Sequence, residues 1–136
     1  MSYDLMVFDT SIAPKQREAF MTWYDEQSEW GEDHNYDDPA VCAPPLRAWF
    51  MDMIQTFGAM NGPFSTGDYD SATVSDYSVG RHLIYVAFAW SQAEPAYHTV
   101  TRLAAKHQVG FFNASSDKAE VWLPDGNGGL ALAHTG

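Results

Sequence analysis

Hydrophobic residues recur at three- and four-residue steps in three stretches of the chain, which is the spacing of one face of an α-helix. The clearest stretch covers residues 46–57, with two prolines before it and a glycine after it. The other two predicted helices cover residues 14–28 and 91–107, and the second opens with a capping pattern at Ser91 and Glu94. The hydrophobic pattern therefore predicts three helices.

Short apolar runs outside these helices predict five β-strands, at residues 3–8, 72–77, 82–89, 109–114 and 119–123. The predicted fold is α+β, with a single antiparallel or mixed sheet of about five strands and with helices mainly on one face. The element order is β-α-α-β-β-α-β-β. It becomes the ferredoxin-like order when one helix and the last strand are left out.

The predicted elements form one domain, which covers residues 1–124. Residues 125–136 are rich in glycine and alanine and lack residues that would pack against a core. We therefore expect a flexible C-terminal tail there.

The chain carries 18 acidic residues against 7 basic residues, for a formal net charge of -11. Nucleic-acid binding needs a basic face, and anionic membrane surfaces repel such a chain, so we expect neither as a partner. A basic protein partner would be attracted electrostatically. The acidity could also serve only to keep the protein soluble, and composition alone leaves both interpretations open.

Reactive side chains form no recognised catalytic or metal-binding pattern. The single cysteine, Cys42, lies in an apolar segment without a basic neighbour, so we expect no nucleophilic role. The sequence has no serine elbow, no phosphate loop and no paired-histidine zinc spacing. We expect no cofactor and no catalytic or metal-ligating residue. An enzyme stays the less favoured alternative, because a triad can assemble from residues that are distant in sequence.

The N-terminal segment MSYDLMVFD has no basic region and no long apolar run, so it does not have the pattern of a signal peptide. A single thiol fits a reducing compartment. The chain also lacks a run of about 20 apolar residues, the length of a membrane span. These features predict a cytoplasmic protein.

Residues 24–40, YDEQSEWGEDHNYDDPA, hold seven carboxylates and one histidine but no lysine or arginine. We call this segment the acidic stretch. Negative charge at the C-terminal end of a helix opposes the helix dipole, and patterns that folding does not favour often mark functional sites. The stretch therefore predicts a surface for a cationic partner, although a solvated acidic surface would give the same pattern. The predicted contact residues are Glu26, Glu29, Trp30, Glu32, Asp33, Asp37 and Asp38.

Trp30 falls outside the periodic pattern of the preceding helix. An exposed tryptophan ringed by carboxylates has the composition of an interface hot spot, with an apolar anchor and a charged rim. A tryptophan folded back over the core would fit the sequence equally well. His34 and the nearby carboxylates could also supply metal ligands, but their spacing matches no established metal site.

Two further interpretations stay open. A ligand pocket between the sheet and the helices, lined by Asp76, Tyr85, Tyr97 and His98, would make the chain a small-molecule-binding protein or an enzyme. An aromatic content of 15% could instead cover a self-interface in a homo-oligomer, so the oligomeric state is open.

Several segments spread over residues 3–124 carry a resemblance to other proteins: YDLMVFD, FGAMNGP, DYSVGRHLIYVAFAWSQAEPAY, LAAKHQVGFFNASS and EVWLP. In these segments the chain resembles a group of small, acidic bacterial proteins of uncharacterised type. Proteins of this size and acidity are often immunity proteins, which bind and block a toxin of the same or a neighbouring cell. The resemblance implies a non-catalytic, cytoplasmic inhibitor that occludes a basic toxin domain. It carries over no catalytic residue.

Overall fold

A computed structural model describes residues 2–32, 34–67 and 71–136 of the chain. The helices are α1 (Arg17–Gln27), α2 (Pro44–Met53) and α3 (Ala93–His107). The strands are β1 (Tyr3–Phe8), β2 (Asp76–Val79), β3 (Leu83–Phe88), β4 (Gly110–Phe112), β5 (Val121–Pro124) and β6 (Leu130–His134). Within the described ranges, none of the helices has both the length and the apolar sequence that crossing a membrane requires.

The strands form one antiparallel sheet of six strands in the order β2-β3-β1-β4-β5-β6. β1 lies inside the sheet, with Val7 opposite Ile84 of β3 on one side and opposite Phe111 of β4 on the other. The elements β1-α2-β2-β3-α3-β4 follow the ferredoxin-like order, and β5 and β6 extend the sheet beyond β4. The predicted α+β class is confirmed, with six strands rather than about five.

The segment that we expected to be a flexible tail, residues 125–136, contributes the sixth strand. A glycine-rich turn precedes β6, and the Asp125 carboxylate accepts hydrogen bonds from the N–H groups of Asn127 and Gly129, at 2.7 and 2.9 Å. β6 then pairs with β5. Pairing to an open sheet edge uses main-chain groups, so it needs none of the hydrophobic periodicity on which the prediction relied.

The sheet has a hydrophobic core on each face, because successive residues of a strand point to opposite sides. In β1, Leu5 and Val7 belong to the core that α2 and α3 cover, while Met6 and Phe8 belong to the core that α1 covers. Two of the three helices therefore share one face, and α1 packs on the other. This places the end of α1, and the loop that follows it, beside the edge of the sheet formed by β2 and β3.

α2 and α3 are tied together by polar contacts as well as by packing. The Trp49 indole N–H donates to the Val100 carbonyl at 3.3 Å. The Asp52 carboxylate contacts Lys106 at 2.9 Å and His107 at 2.7 Å. The hydrogen bonds from Lys106 and His107 hold the pKa of Asp52 below its ordinary value. Asp52 is therefore a structural carboxylate that joins the two helices.

Candidate binding surface at the C-terminal end of α1

The C-terminal end of α1 carries negative charge without a compensating cation. Its last turn contains Glu26 and no basic residue, and Glu29 follows shortly after the helix. Both side chains are exposed, and within the described part of the chain neither carboxylate has a hydrogen bond or an ion pair. Since the helix dipole places partial negative charge at this end, these two carboxylates are unfavourable for folding.

Trp30 follows α1 in the left-handed backbone conformation, with φ of +51°. Its N–H donates to the Gln27 carbonyl at 3.1 Å. Glycine is the usual residue in this conformation after a helix, because a Cβ raises its energy by about 1–2 kcal/mol. The indole packs against the core on the α1 face and is half-buried. Trp30 is therefore neither a fully exposed anchor nor a ring enclosed in the core.

A cleft of 160 Å³ opens beside Trp30. Trp30 and Tyr36 both line it, and their ring centroids lie 5.1 Å apart with the planes at 68°. The cleft thus brings together three predicted contact residues and adds groups from the loop and from the β2–β3 turn. Its other lining residues are Glu26, Gln27, Gly31, Glu32 and Gly80.

Tyr36 was not among the predicted site residues, and hydrogen bonds hold it at the cleft. Its hydroxyl oxygen lies 2.6 Å from the Glu32 nitrogen, whose N–H it accepts, and 3.3 Å from the Glu32 carbonyl oxygen. Its carbonyl accepts the Val79 N–H of β2 at 2.9 Å. The loop is therefore fixed to the edge of the sheet. In the sequence, the available signal was a third aromatic residue inside the acidic stretch, after Tyr24 and Trp30.

Glu32 is partly neutralised within the chain. Its Oε1 pairs with Nε2 of His34 and also accepts the Arg81 main-chain N–H at 3.2 Å. A hydrogen bond with the Asn35 carbonyl and the contact with Glu32 raise the pKa of His34. Glu32 therefore also helps to hold the loop together, through His34 and the main chain of Arg81.

The remaining predicted acids lie away from the cleft or outside the described residues. Asp38 caps the short 3-10 turn Pro39–Val41, where its carboxylate accepts the Ala40 N–H at 2.9 Å. The main chain of Asp37 packs against Gly62, at which a Cβ would lie 2.2 Å from the Asp37 carbonyl oxygen. Neither Asp37 nor Asp38 lines the Trp30 cleft. Asp33 lies outside the described residues.

The alternative ligand pocket is not formed, because the sheet divides its residues. Asp76 and Tyr85 lie on the α1 face of β2 and β3. Tyr97 and His98 belong to α3 on the opposite face, where the Tyr97 ring lies 5.6 Å from the ring of Phe111. These four side chains therefore cannot line one cavity.

Tyr85 instead lines a second cleft, of 330 Å³, that shares Trp30 with the first. The Tyr85 hydroxyl donates to the Asp4 carboxylate at 2.5 Å. Burial and this contact raise the pKa of Tyr85 above its ordinary value, so the phenol stays protonated and serves as a hydrogen-bond donor. The other residues that line this cleft are Tyr24, Ser28 and Ser78.

The thiol of Cys42 is buried in the core that α2 and α3 cover. It donates to the Gly80 carbonyl at 3.4 Å, and burial raises its pKa to about 12. Among the residues that the structure describes, no group of three or more His, Cys, Asp or Glu side chains could hold a metal ion.

No family model matches the chain, and no curated protein and no solved structure is significantly similar to it. We call Glu26, Glu29 and Trp30 the Trp30 surface, because two exposed carboxylates without a partner among the described residues lie close in sequence to a half-buried indole there.

Proposed function

We propose that the chain is a non-catalytic protein-binding module whose Trp30 surface docks on a basic partner. The observation that carries the proposal is that Glu26 and Glu29 are exposed and unpaired at a helix end whose dipole they oppose. The net charge of -11 would steer a cationic partner towards the chain. The half-buried indole of Trp30 supplies an apolar contact already held in place.

The chemistry of the Trp30 surface favours one kind of basic partner, a toxin domain that acts on nucleic acid. The active site of such a domain is cationic, because it has to bind phosphates. Carboxylates at Glu26 and Glu29 would take the place of those phosphates and block access without any reaction. In this proposal the chain is an immunity protein that occludes the toxin domain in the cytoplasm of the producing cell.

Affinity capture from the cells that naturally produce the chain tests the docking surface, with three proteins as bait. These are the wild type, the variant E26K/E29K and the control variant E94K/D117K. Each variant reverses two exposed carboxylates, so both have the same net charge. We expect the wild type and the control to retain the same basic protein and E26K/E29K to lose it. Equal retention by all three baits would contradict the proposal.

A growth assay tests the inhibitory role separately. Expression of the captured basic protein alone should arrest the cells, and co-expression of the wild-type chain should restore growth. The variant E26K/E29K should restore growth poorly, because occlusion depends on the affinity of the complex. If the captured protein has no effect on growth, the immunity role is wrong and only the binding role stands.

The second cleft favours a further candidate function, the binding of a small molecule. Its volume of 330 Å³ lies at the lower end of the about 300–1,000 Å³ that is usual for ligand sites. The hydroxyl groups of Tyr24, Ser28 and Ser78 could fix a polar ligand. Native mass spectrometry of the protein purified from its natural cells would detect a retained small molecule. This candidate requires that the molecule be lost in Ser78→Trp, which would fill the cleft.

A further inference from the structure

The cleft beside Trp30 has room for a single side chain. Its volume of 160 Å³ is close to the about 150 Å³ of an engineered cavity that takes up benzene, and it is well below the usual size of small-molecule sites. Two of its lining residues, Glu26 and Gly31, are exposed, so the cleft is reached from the protein surface. Its size and position fit one group that projects from another molecule.

Two aromatic rings form a corner in this cleft before any partner binds. The ring planes of Trp30 and Tyr36 stand at 68° to each other. The Tyr36 hydroxyl is held by the main chain of Glu32, and the Tyr36 carbonyl is held by Val79. Because these contacts already order the loop, a group that enters the corner does not have to order it. Aromatic walls of this kind attract cations, and most strongly when the ring belongs to tryptophan.

Among the described residues, the carboxylates that line the cleft are Glu26 and Glu32, and they differ in what they contact. Within the described residues, the Glu32 carboxylate contacts His34 and accepts the Arg81 N–H, in each case through Oε1. His34 and Arg81 thus bring positive or protonatable groups of the chain itself to the Glu32 side of the cleft. Glu26 has no such contact within the described residues. A cation in the cleft would therefore pair with Glu26.

We propose that the cleft receives the guanidinium group of one arginine of the basic partner, stacked against Trp30 and paired with Glu26. Arginine fits better than lysine because its guanidinium is planar, weakly hydrated and able to stack on a ring while its forked N–H groups meet a carboxylate. This inference rests on the proposed function, since it names the partner side chain that occupies the centre of the Trp30 surface.

Three capped tripeptides with the central residue arginine, lysine or citrulline test the assignment. Citrulline keeps the length and planarity of arginine but carries no charge. The readout is the indole N–H signal of Trp30 in an NMR titration, identified by its loss in Trp30→Phe. We expect the arginine peptide to shift this signal in a saturable way. The titration should give a dissociation constant of about 1–10 mM, because a single side chain makes the contact. The lysine peptide should bind several-fold more weakly, and the citrulline peptide should cause no saturable shift.

Two single substitutions then locate the paired carboxylate. Glu26→Gln should raise the dissociation constant of the arginine peptide by about threefold to tenfold, because it removes the charge of the side chain while it preserves its shape. Glu94→Gln removes an exposed carboxylate from α3 on the other face of the sheet and should leave the peptide affinity unchanged. The assignment is overturned if citrulline shifts the signal as arginine does, or if both variants bind equally well.

Failure of this inference differs from failure of the proposed function. If E26K/E29K loses the basic partner while the arginine peptide leaves the Trp30 signal unmoved, the cleft assignment is wrong and the docking surface stands. If the peptide binds through Glu26 while all three baits retain the same proteins, the cleft assignment is supported and the proposed function is contradicted.

Discussion

Trp30 and Tyr36 meet edge to face, with their ring centroids 5.1 Å apart. Trp30 stands at the end of α1, while Tyr36 belongs to the loop that is hydrogen-bonded to β2 at Val79. The contact therefore joins the helix on one face of the sheet to the edge of the sheet itself. The fold of the chain alone therefore builds the cleft.

The left-handed backbone conformation of Trp30 predicts that Trp30→Gly is more stable than Trp30→Ala. With φ at +51°, glycine should be tolerated better than alanine, so Trp30→Gly should unfold at a higher urea concentration than Trp30→Ala. We expect a difference of about 1 kcal/mol in the free energy of unfolding. Both variants lose the same indole packing, so their difference reports the backbone alone.

Thr22, an exposed residue in the middle of α1, supplies the matched control for this comparison. Its backbone is helical, so Thr22→Gly should be less stable than Thr22→Ala, by about 1 kcal/mol. If glycine is the less stable choice at position 30 as well, the left-handed conformation of Trp30 is contradicted.

Neutralising the acidic end of α1 should stabilise the fold. The double variant E26Q/E29Q removes two carboxylates that oppose the helix dipole, so its free energy of unfolding at low salt should rise by about 0.3–1 kcal/mol. Glu94 lies in the first turn of α3, where a carboxylate is favourable, so Glu94→Gln should change stability in the opposite direction. Chemical unfolding measures both. A loss of stability in E26Q/E29Q would mean that the fold itself uses these carboxylates.

The pair formed by His34 and Glu32 predicts a dependence of stability on pH. The hydrogen bond with Asn35 and the contact with Glu32 raise the pKa of His34 in the folded state. A raised histidine pKa adds stability that is fully present below the unfolded value of about 6.5 and that is lost as the pH rises through the folded value. The stability difference between wild type and His34→Gln should therefore shrink as the pH increases across neutrality.

Urea unfolding on the acid and alkaline sides of neutral pH measures this difference. His98 is exposed and has no ion pair within the described ranges, so His98→Gln serves as the control with little expected change. The pair would be refuted as a source of stability if the wild type and His34→Gln differed equally at both pH values.

The close packing of Phe8 on Gly110 predicts a site that tolerates no side chain. A Cβ at Gly110 would lie 2.3 Å from Cζ of Phe8, whose ring is buried in the core on the α1 face. Gly110→Ala should therefore cost about 1–3 kcal/mol in the free energy of unfolding. Gly31 has no atom within 4 Å of the equivalent Cβ, so Gly31→Ala should be nearly neutral. Equal stability of the two variants would contradict this packing.

The sequence predicted the three helices and four of the strands near their observed positions, because periodic stripes and short apolar runs are local signals. The strand predicted at residues 72–77 lies a few residues later, at Asp76–Val79. The stripe over residues 46–57 marks α2 from its own spacing, although the helix ends at Met53 and the remaining residues continue as turns. β6 could not be predicted in this way. Its residues are largely exposed, and it forms because β5 offers a free edge after a glycine-rich turn.

The candidate site also contains residues that the sequence could single out and contacts that only the fold determines. Glu26, Glu29 and Trp30 could be singled out because their excess of charge and their break in periodicity are visible along the chain. The pairing of Glu32 with His34 depends on the path of the loop. The separation of Tyr85 from Tyr97 depends on the face of the sheet that α3 covers and on the face to which Tyr85 points. A shift of one residue in the register of β3 would move Tyr85 to the other face.

Calorimetric titration of the captured basic partner tests the central claim most directly, with wild type, E26K/E29K and E94K/D117K compared at low and high salt. We expect E26K/E29K to bind at least about 100-fold more weakly than wild type and to lose most of the salt dependence, because like charges then face each other. The control E94K/D117K should stay close to wild type. Equal affinities for the two variants would contradict the claim that the Trp30 surface is the docking site.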